Sequence, residues 1–224
     1  MLIISPIIVL WLGCLAVQTR TTKSGPYMSL GLSFSGAFLL STLIFEMLPE
    51  LFQDEAPKTV GLFLSLGIIL QLSLEYLSQG AEHGHTHHHG HSGRVPWLVI
   101  GSLCIHALLE GIPLSSVNGL FWGVLVHKFT IALALSLLLL ESKAPKYLSL
   151  GAIGAFSLMT PLGSFLSGQS LWPEHWNNYL NALAVGILLH IATVILFESS
   201  DGHRFNWRKF AVILGGFALG YLVG

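Results

Sequence analysis

Apolar runs about as long as a membrane is thick recur along the whole chain. The hydrocarbon core of a bilayer is ~30 Å thick, and about 20 helical residues cross it. Only 9% of the 224 residues are charged, against roughly a quarter in a soluble domain. The sequence therefore predicts an all-α polytopic membrane protein, one transmembrane domain over 1–224. Its eight predicted transmembrane helices lie at 2–19, 27–48, 59–79, 95–113, 120–140, 147–168, 177–197 and 207–223.

Basic residues are distributed unevenly between the two sides of the predicted bundle. The odd-numbered loops carry eight Lys and Arg residues, and the even-numbered loops carry only Lys58. Because Lys and Arg favour cytoplasmic loops, both termini are predicted to be extracytoplasmic and the loop at 80–94 cytoplasmic. The first run lacks the basic start and the A-x-A site of a signal peptide, which predicts a retained helix. The scattered basic residues argue against a nucleic-acid partner.

Three ionisable residues inside the predicted spans point to a metal site, since such side chains are costly in lipid. His106 and Glu110 lie four residues apart on one face of the fourth helix. His127 in the fifth helix lies at a matching depth, roughly 16 Å from the connecting turn and near the bilayer midplane. Two imidazoles and a carboxylate with an open coordination position suit Zn²⁺, Fe²⁺ or Mn²⁺. The alternative is a set of interhelical hydrogen-bonding residues.

Two neighbours of this predicted site have open roles. Lys128 is a cation beside a metal, so it either snorkels to the interface, pairs with Glu110 or takes the position of a second cation. Pro113 denies a hydrogen bond to the carbonyl of Leu109 and predicts a bent or loosened helix. The carbonyl of Leu109 that is freed in this way either coordinates a cation or takes no part in cation binding.

The predicted cytoplasmic loop at 80–94 is of low complexity and rich in histidine, so we expect it to be disordered. Neutral imidazoles bind Zn²⁺ loosely and release it when protonated near pH ~6.5. The loop is therefore either a cytoplasmic metal buffer or sensor, or an inert linker. Its six histidines are His83, His85, His87, His88, His89 and His91.

Five short runs share the order of a known set of transmembrane motifs. Each run places polar or glycine residues in an apolar span. A single run is weak evidence of a family, but five runs in the same order on eight spans are specific evidence. In chain order they are G-A-F-L at 36–39 with E-M-L-P-E at 46–50, H-A-L-L-E-G at 106–111, H-K at 127–128, T-P-L-G at 160–163, and G-I-L-L-H-I-A-T-V-I at 186–195.

These runs resemble the ZIP (Zrt- and Irt-like protein) family of metal transporters over nearly the whole chain. The family's second helix ends in H-L-L-P-E, and Glu46 takes the position of its histidine. The fourth helix carries H-[NS]-x-x-[DE]-G, the fifth opens with H-K in some members, and the sixth carries T-P-L-G. In the seventh, G-T-F-L-Y-x-A-x-x-E, His190 stands for the tyrosine and Ile195 for the glutamate.

The resemblance implies a divalent metal transporter that moves Zn²⁺ toward the cytoplasm through His106, Glu110 and His127. Fe²⁺, Mn²⁺ and Cd²⁺ remain alternatives because borderline ligands accept them all. Many members bind a second ion through acidic and amide residues where this chain has Ala107, Lys128 and Ile131. The hypothesis is a single transported ion, with the Lys128 ammonium replacing the second cation.

Further residues have possible auxiliary roles. His190 is either an added ligand or an interhelical donor. Spans two and seven contain weakly similar short sequences, T-L-I-F-E and T-V-I-L-F-E, which end at Glu46 and Glu198. These two glutamates are predicted to lie at the outer and inner mouths of the transport route. Carboxylates there would raise the local cation concentration, although ordinary helix-end charges are the alternative. The acidic residues that follow Glu46 are read as a solvated turn: Glu50, Asp54 and Glu55.

Two other functions compete with transport. A membrane-embedded zinc-dependent hydrolase needs a free general base beside the metal, but H-E-x-x-H is absent and Glu110 is already a ligand. A metal sensor that does not transport is the second. The prediction is a protein that is not an enzyme, has no organic cofactor, and lies in the plasma or bacterial inner membrane. Its partners are metal ions, lipid and, through Gly215, Gly216 and Gly220, a second copy in a homodimer.

Overall fold

The computed structural model describes residues 4–19, 26–78, 95–115, 118–169, 173–198 and 206–223. Their regular structure is helical throughout. A π-helical turn, Leu43–Met47, joins α2 to α3, and a 3₁₀ turn, Ile112–Ser115, follows α5. The α-helices are α1 Ser5–Thr19, α2 Pro26–Thr42, α3 Leu48–Asp54, α4 Pro57–Ser78, α5 Trp97–Gly111, α6 Asn118–Glu141, α7 Lys146–Ser167, α8 Glu174–Glu198 and α9 Trp207–Val223.

Among the residues that the structure describes, six helical segments are long and apolar enough to cross a membrane, which confirms an all-helical polytopic membrane protein. The helices at the two ends, α1 with 15 residues and α9 with 17, are apolar but shorter. Eight crossings, the side of the termini and a single domain stay predictions. The six segments are Ser29–Gln53, Pro57–Ser78, Trp97–Leu114, Leu120–Glu141, Lys146–Ser167 and Trp176–Phe197.

Two prolines lie in membrane-spanning segments beside turns that are not α-helical. The second span continues past its predicted end at 48, because a π turn immediately before Pro49 keeps the chain helical. In this turn the N–H of Leu48 donates to the carbonyl of Leu43. At Pro113 the α5 helix tightens into the 3₁₀ turn, whereas the sequence predicted a bent or loosened helix. The carbonyl of Leu109 accepts the N–H of Ile112, so it is satisfied by the backbone and is not freed for a cation.

Helix α6 lies between the two main apolar clusters of the molecule. One cluster joins α1, α5, α6 and α7, and it includes Ile131 of α6. The other joins α2, α3, α4 and α8, and it includes Val124 of α6. His127 lies one turn from each of these residues, so α6 carries it to the boundary between the two clusters.

Helices α5 and α7 pack against each other backbone to backbone. A Cβ at Gly111 would overlap the carbonyl of Thr160, and a Cβ at Gly163 would overlap the carbonyl of Leu108. Small residues that let backbones approach in this way are typical of membrane helix contacts. Helices α4 and α8 pack in the same reciprocal manner through Gly67 and Gly186.

Two of the three α9 glycines that predicted a dimer surface have a partner within the chain, whereas a Cβ at Gly215 would have nothing within 4 Å. Gly216 packs against the backbone of Phe34 and Gly220 against Ser41, both on α2. Ser41 Oγ also donates to the carbonyl of Phe217. These two glycines are therefore used to pack α9 on α2, and a homodimer stays a prediction.

Candidate metal site

Three buried side chains from two helices converge on one point. His106 and Glu110 come from α5 and His127 from α6, and a ligand atom from each lies within 4.8 Å of the other two. All three residues are 0% exposed. His106 Nε2 is 3.8 Å from Glu110 Oε2, and the two imidazole rings are 6.1 Å apart at 87°. The described residues contain no other such group of three His, Cys, Asp or Glu side chains.

The donor set fits a divalent cation of borderline softness. In a tetrahedral zinc site the ligands lie about 2.0–2.2 Å from the ion and therefore about 3.3 Å from each other. The three side chains need to close by at most about 1.5 Å to reach that spacing. Three protein ligands also leave a fourth position, as in sites that exchange their occupant. The arrangement can hold and release a metal ion.

Lys128 lies beside this group and is as deeply buried, with 1% of its surface exposed. Its Nζ is 2.7 Å from Glu110 Oε2, which makes a buried ion pair. Nζ also lies over the ring of Phe156, 4.6 Å from the centroid. Of the three roles open from the sequence, the structure has the pairing with Glu110. A cation bound by Glu110 would therefore have to share that carboxylate with the ammonium.

Two threonines tie the backbone of the ligand helices in place. Thr160 Oγ1 donates to the carbonyl of Ala107, the residue after His106, and so links α7 to α5 across the site. Thr130 Oγ1 donates to the carbonyl of His127 within α6. Sequence reasoning noted Thr160 only as part of a motif. It missed Phe156, which shares a face of α7 with Thr160 because they are four residues apart.

His190 lies apart from the three-residue group and contacts a residue that sequence reasoning missed. Its Nε2 is 2.7 Å from Glu75 Oε2 on α4, and both side chains are partly exposed, 14% and 21%. Glu75 could have been noticed as an ionisable residue inside the third span. The contact joins α8 to α4 at the helix pair that also packs through glycines.

The other predicted site residues lie away from the group or outside the described part of the chain. Glu46 is half-buried on the π turn, where its Oε2 has no hydrogen-bond partner among the described residues. Glu50 is exposed, and Glu55 accepts a hydrogen bond from Asn178 at 3.4 Å. Glu198 ends α8, but its side chain is not described, nor is that of Asp54. The six histidines of 80–94 lie outside the described residues.

Comparison with known proteins decides the family. The family model described as ZIP Zinc transporter matches residues 78–224, which is more than half of the chain. The chain belongs to the ZIP zinc transporter family. It is therefore a metal ion transporter in a membrane and not an enzyme, so the hydrolase alternative does not hold.

Curated members of the ZIP family are similar along most of the chain. The human protein named Zinc transporter ZIP1 is 26% identical over 248 residues, which cover 86% of this chain and 76% of the human protein. The mouse and bovine proteins of the same name are similar to the same extent. The family resemblance inferred from the five motifs is thus confirmed. Assignment to the H-K form of the fifth-helix motif stays a prediction.

Proposed function

We propose that this transporter carries Zn²⁺ toward the cytoplasm through one intramembrane site formed by His106, Glu110 and His127. The observation that carries the proposal is the convergence of three fully buried ligand side chains in a member of a zinc transporter family. Two imidazoles and one carboxylate are ligands that Zn²⁺ accepts readily. Fe²⁺, Mn²⁺ and Cd²⁺ are the competing ions, because the same donors bind them.

A single ion is proposed because Ala107, Lys128 and Ile131, three positions beside the group, offer no ligand for a second. Ala107 and Ile131 are both 0% exposed and have no donor atom in their side chains. Lys128 instead places a positive charge 2.7 Å from Glu110 Oε2. In a buried site an ammonium at this distance from a shared carboxylate repels a second cation strongly, because charges are poorly screened there. In this proposal the Lys128 ammonium stands where relatives hold a second ion.

Replacing Lys128 with aspartate should raise the number of bound zinc ions from one to two per chain. The change removes the repelling charge and adds a carboxylate next to His127, so a second ion gains a ligand. The measurement is zinc per protein by elemental analysis after dialysis, checked by calorimetric titration, with the six histidines of 80–94 replaced by serine in every variant. Lys146→Asp, a matched change at an exposed lysine at the start of α7, should leave one ion. One ion in the Lys128→Asp variant argues against the replacement idea.

The remaining parts of the proposed route lie at the ends of the bundle. We place Glu46 at the outer mouth and Glu198 at the inner mouth. We assign a metal-buffering or sensing role to the six histidines of 80–94. The half-burial of Glu46 on an irregular turn and the distribution of basic residues support this direction. His190, paired with Glu75, serves as an interhelical partner. The whole chain acts as one transmembrane domain in the plasma or bacterial inner membrane, and homodimer formation remains open.

Purified protein in liposomes loaded with a zinc-sensitive dye tests the function. We expect zinc added outside to enter faster than in protein-free liposomes. The detergent-solubilised protein should bind one ion per chain once the six histidines of 80–94 are replaced by serine, which removes the loose loop sites. Parallel assays with Fe²⁺, Mn²⁺ and Cd²⁺ rank the ions. Binding without flux would favour the non-transporting sensor and would overturn the proposal.

A further inference from the structure

The buried ammonium of Lys128 has two partners that come from two different helices. Glu110 of α5 supplies a carboxylate oxygen at 2.7 Å, and Phe156 of α7 supplies the face of its ring at 4.6 Å from the centroid. Lys128 is 1% exposed and Phe156 is 0% exposed. Bulk water is therefore excluded from the ammonium, and these two contacts with described residues stabilise its charge.

Metal binding changes the balance between these two contacts. A metal ion bound by Glu110 partly neutralises the carboxylate charge that stabilises the ammonium. The positive charge of the ion also repels Lys128. The ammonium then depends on the remaining contact, the negative face of the Phe156 ring. Such a contact is strongest when it is desolvated, as it is here. The ring contact therefore matters more with the metal bound than without it.

We propose that Phe156 is a positioning residue that retains the Lys128 ammonium when the metal takes Glu110, and that this exchange sets the affinity for the transported ion. The inference rests on the transport site proposed above. Phe156 does not touch the metal in this scheme and acts only through Lys128. It thereby lets one buried lysine coexist with a divalent cation.

The position of the ring is fixed by the frame of the site. Thr160, one turn further along α7 than Phe156, donates to the carbonyl of Ala107 on α5 at 3.0 Å. Gly163, on the same helix, packs directly on the α5 backbone. The height of the ring relative to Glu110 is therefore set by two direct α5–α7 contacts. A ring held in this way can receive the ammonium without rearrangement of the helices.

Fluorinated phenylalanines at position 156 test the proposal, because they weaken the negative ring face stepwise with little change of shape. We expect the zinc dissociation constant to rise with each fluorine, measured by calorimetry on the full-length protein with the six histidines of 80–94 replaced by serine. The trifluorinated ring should raise it about ten-fold. The same series placed in a Lys128→Met background should leave the dissociation constant unchanged. A series at Phe38, a buried phenylalanine on α2, controls for fluorination of the core.

Several results would overturn the inference. These are a dissociation constant that does not respond to the series, one that falls, or the same response in the Lys128→Met background, which would mean a packing role. The proposed function fails separately: it is lost when the unmodified protein does not move zinc, whatever the fluorine series shows. If the protein transports zinc but its zinc dissociation constant does not change along the fluorine series, only the role of Phe156 is contradicted.

Discussion

Replacing His106 with alanine should abolish zinc uptake into dye-loaded liposomes. The change removes one of the three protein ligands and leaves a gap in a fully buried site. Loss of a residue that merely supports a metal ligand already lowers affinity about 10- to 100-fold, so we expect the loss of a ligand to exceed 100-fold. The measurement is the initial rate of dye response across a range of zinc concentrations.

Ile105→Ala provides the matched control for the loss of His106. Ile105 is the preceding residue on α5, but it is 48% exposed on the outside of the bundle. The variant should keep its uptake, because it removes a large side chain from the same helix without touching the site. Uptake by the His106→Ala variant at the wild-type rate, with folding intact by circular dichroism, would rule out the site.

Replacing Gly163 with alanine should destabilise the folded protein more than most single methyl additions. The added Cβ would overlap the carbonyl of Leu108 and approach the Cα of Gly111. Neither neighbour is the end of a flexible side chain, so α5 and α7 have to move apart. Overpacking of this kind costs about 1–3 kcal/mol or more. The measurement is thermal unfolding of the purified protein in detergent, followed by tryptophan fluorescence.

Gly154→Ala on the same helix separates packing from helix propensity. A Cβ at Gly154 has nothing within 4 Å, so this variant should be neutral or slightly stabilised. Because α5 carries His106 and Glu110, the Gly163→Ala variant should also bind zinc more weakly. Equal unfolding temperatures for the two variants would contradict the close α5–α7 contact.

The sequence led directly to the helices and to the three residues that converge in the candidate metal site. Six of the eight predicted spans reappear as helices long enough to cross a membrane, because the apolar runs alone require a helical, membrane-spanning chain. The spacing of His106 and Glu110 places them on one face of any α-helix. The depth argument also predicted that His127 would meet them. The five motifs identified the family, and the family comparison confirmed it.

The rotation of each helix about its axis could not be read in the same way. In a soluble protein an apolar stripe shows which face of a helix turns inward. Here lipid is as apolar as the bundle interior, so the inward face has no such stripe. This is why the contact of Glu75 with His190 and the use of Gly216 and Gly220 against α2 were not foreseen.

Thus the sequence by itself determined that this chain is a helical membrane protein, that it resembles the ZIP family, and that three ionisable residues lie at one predicted depth. Only the tertiary structure decided that Lys128 pairs with Glu110 and lies against Phe156. The physical reason is that these contacts join three helices. Their formation depends on how close packing through Gly111 and Gly163 sets helix rotation and distance, which no local spacing encodes.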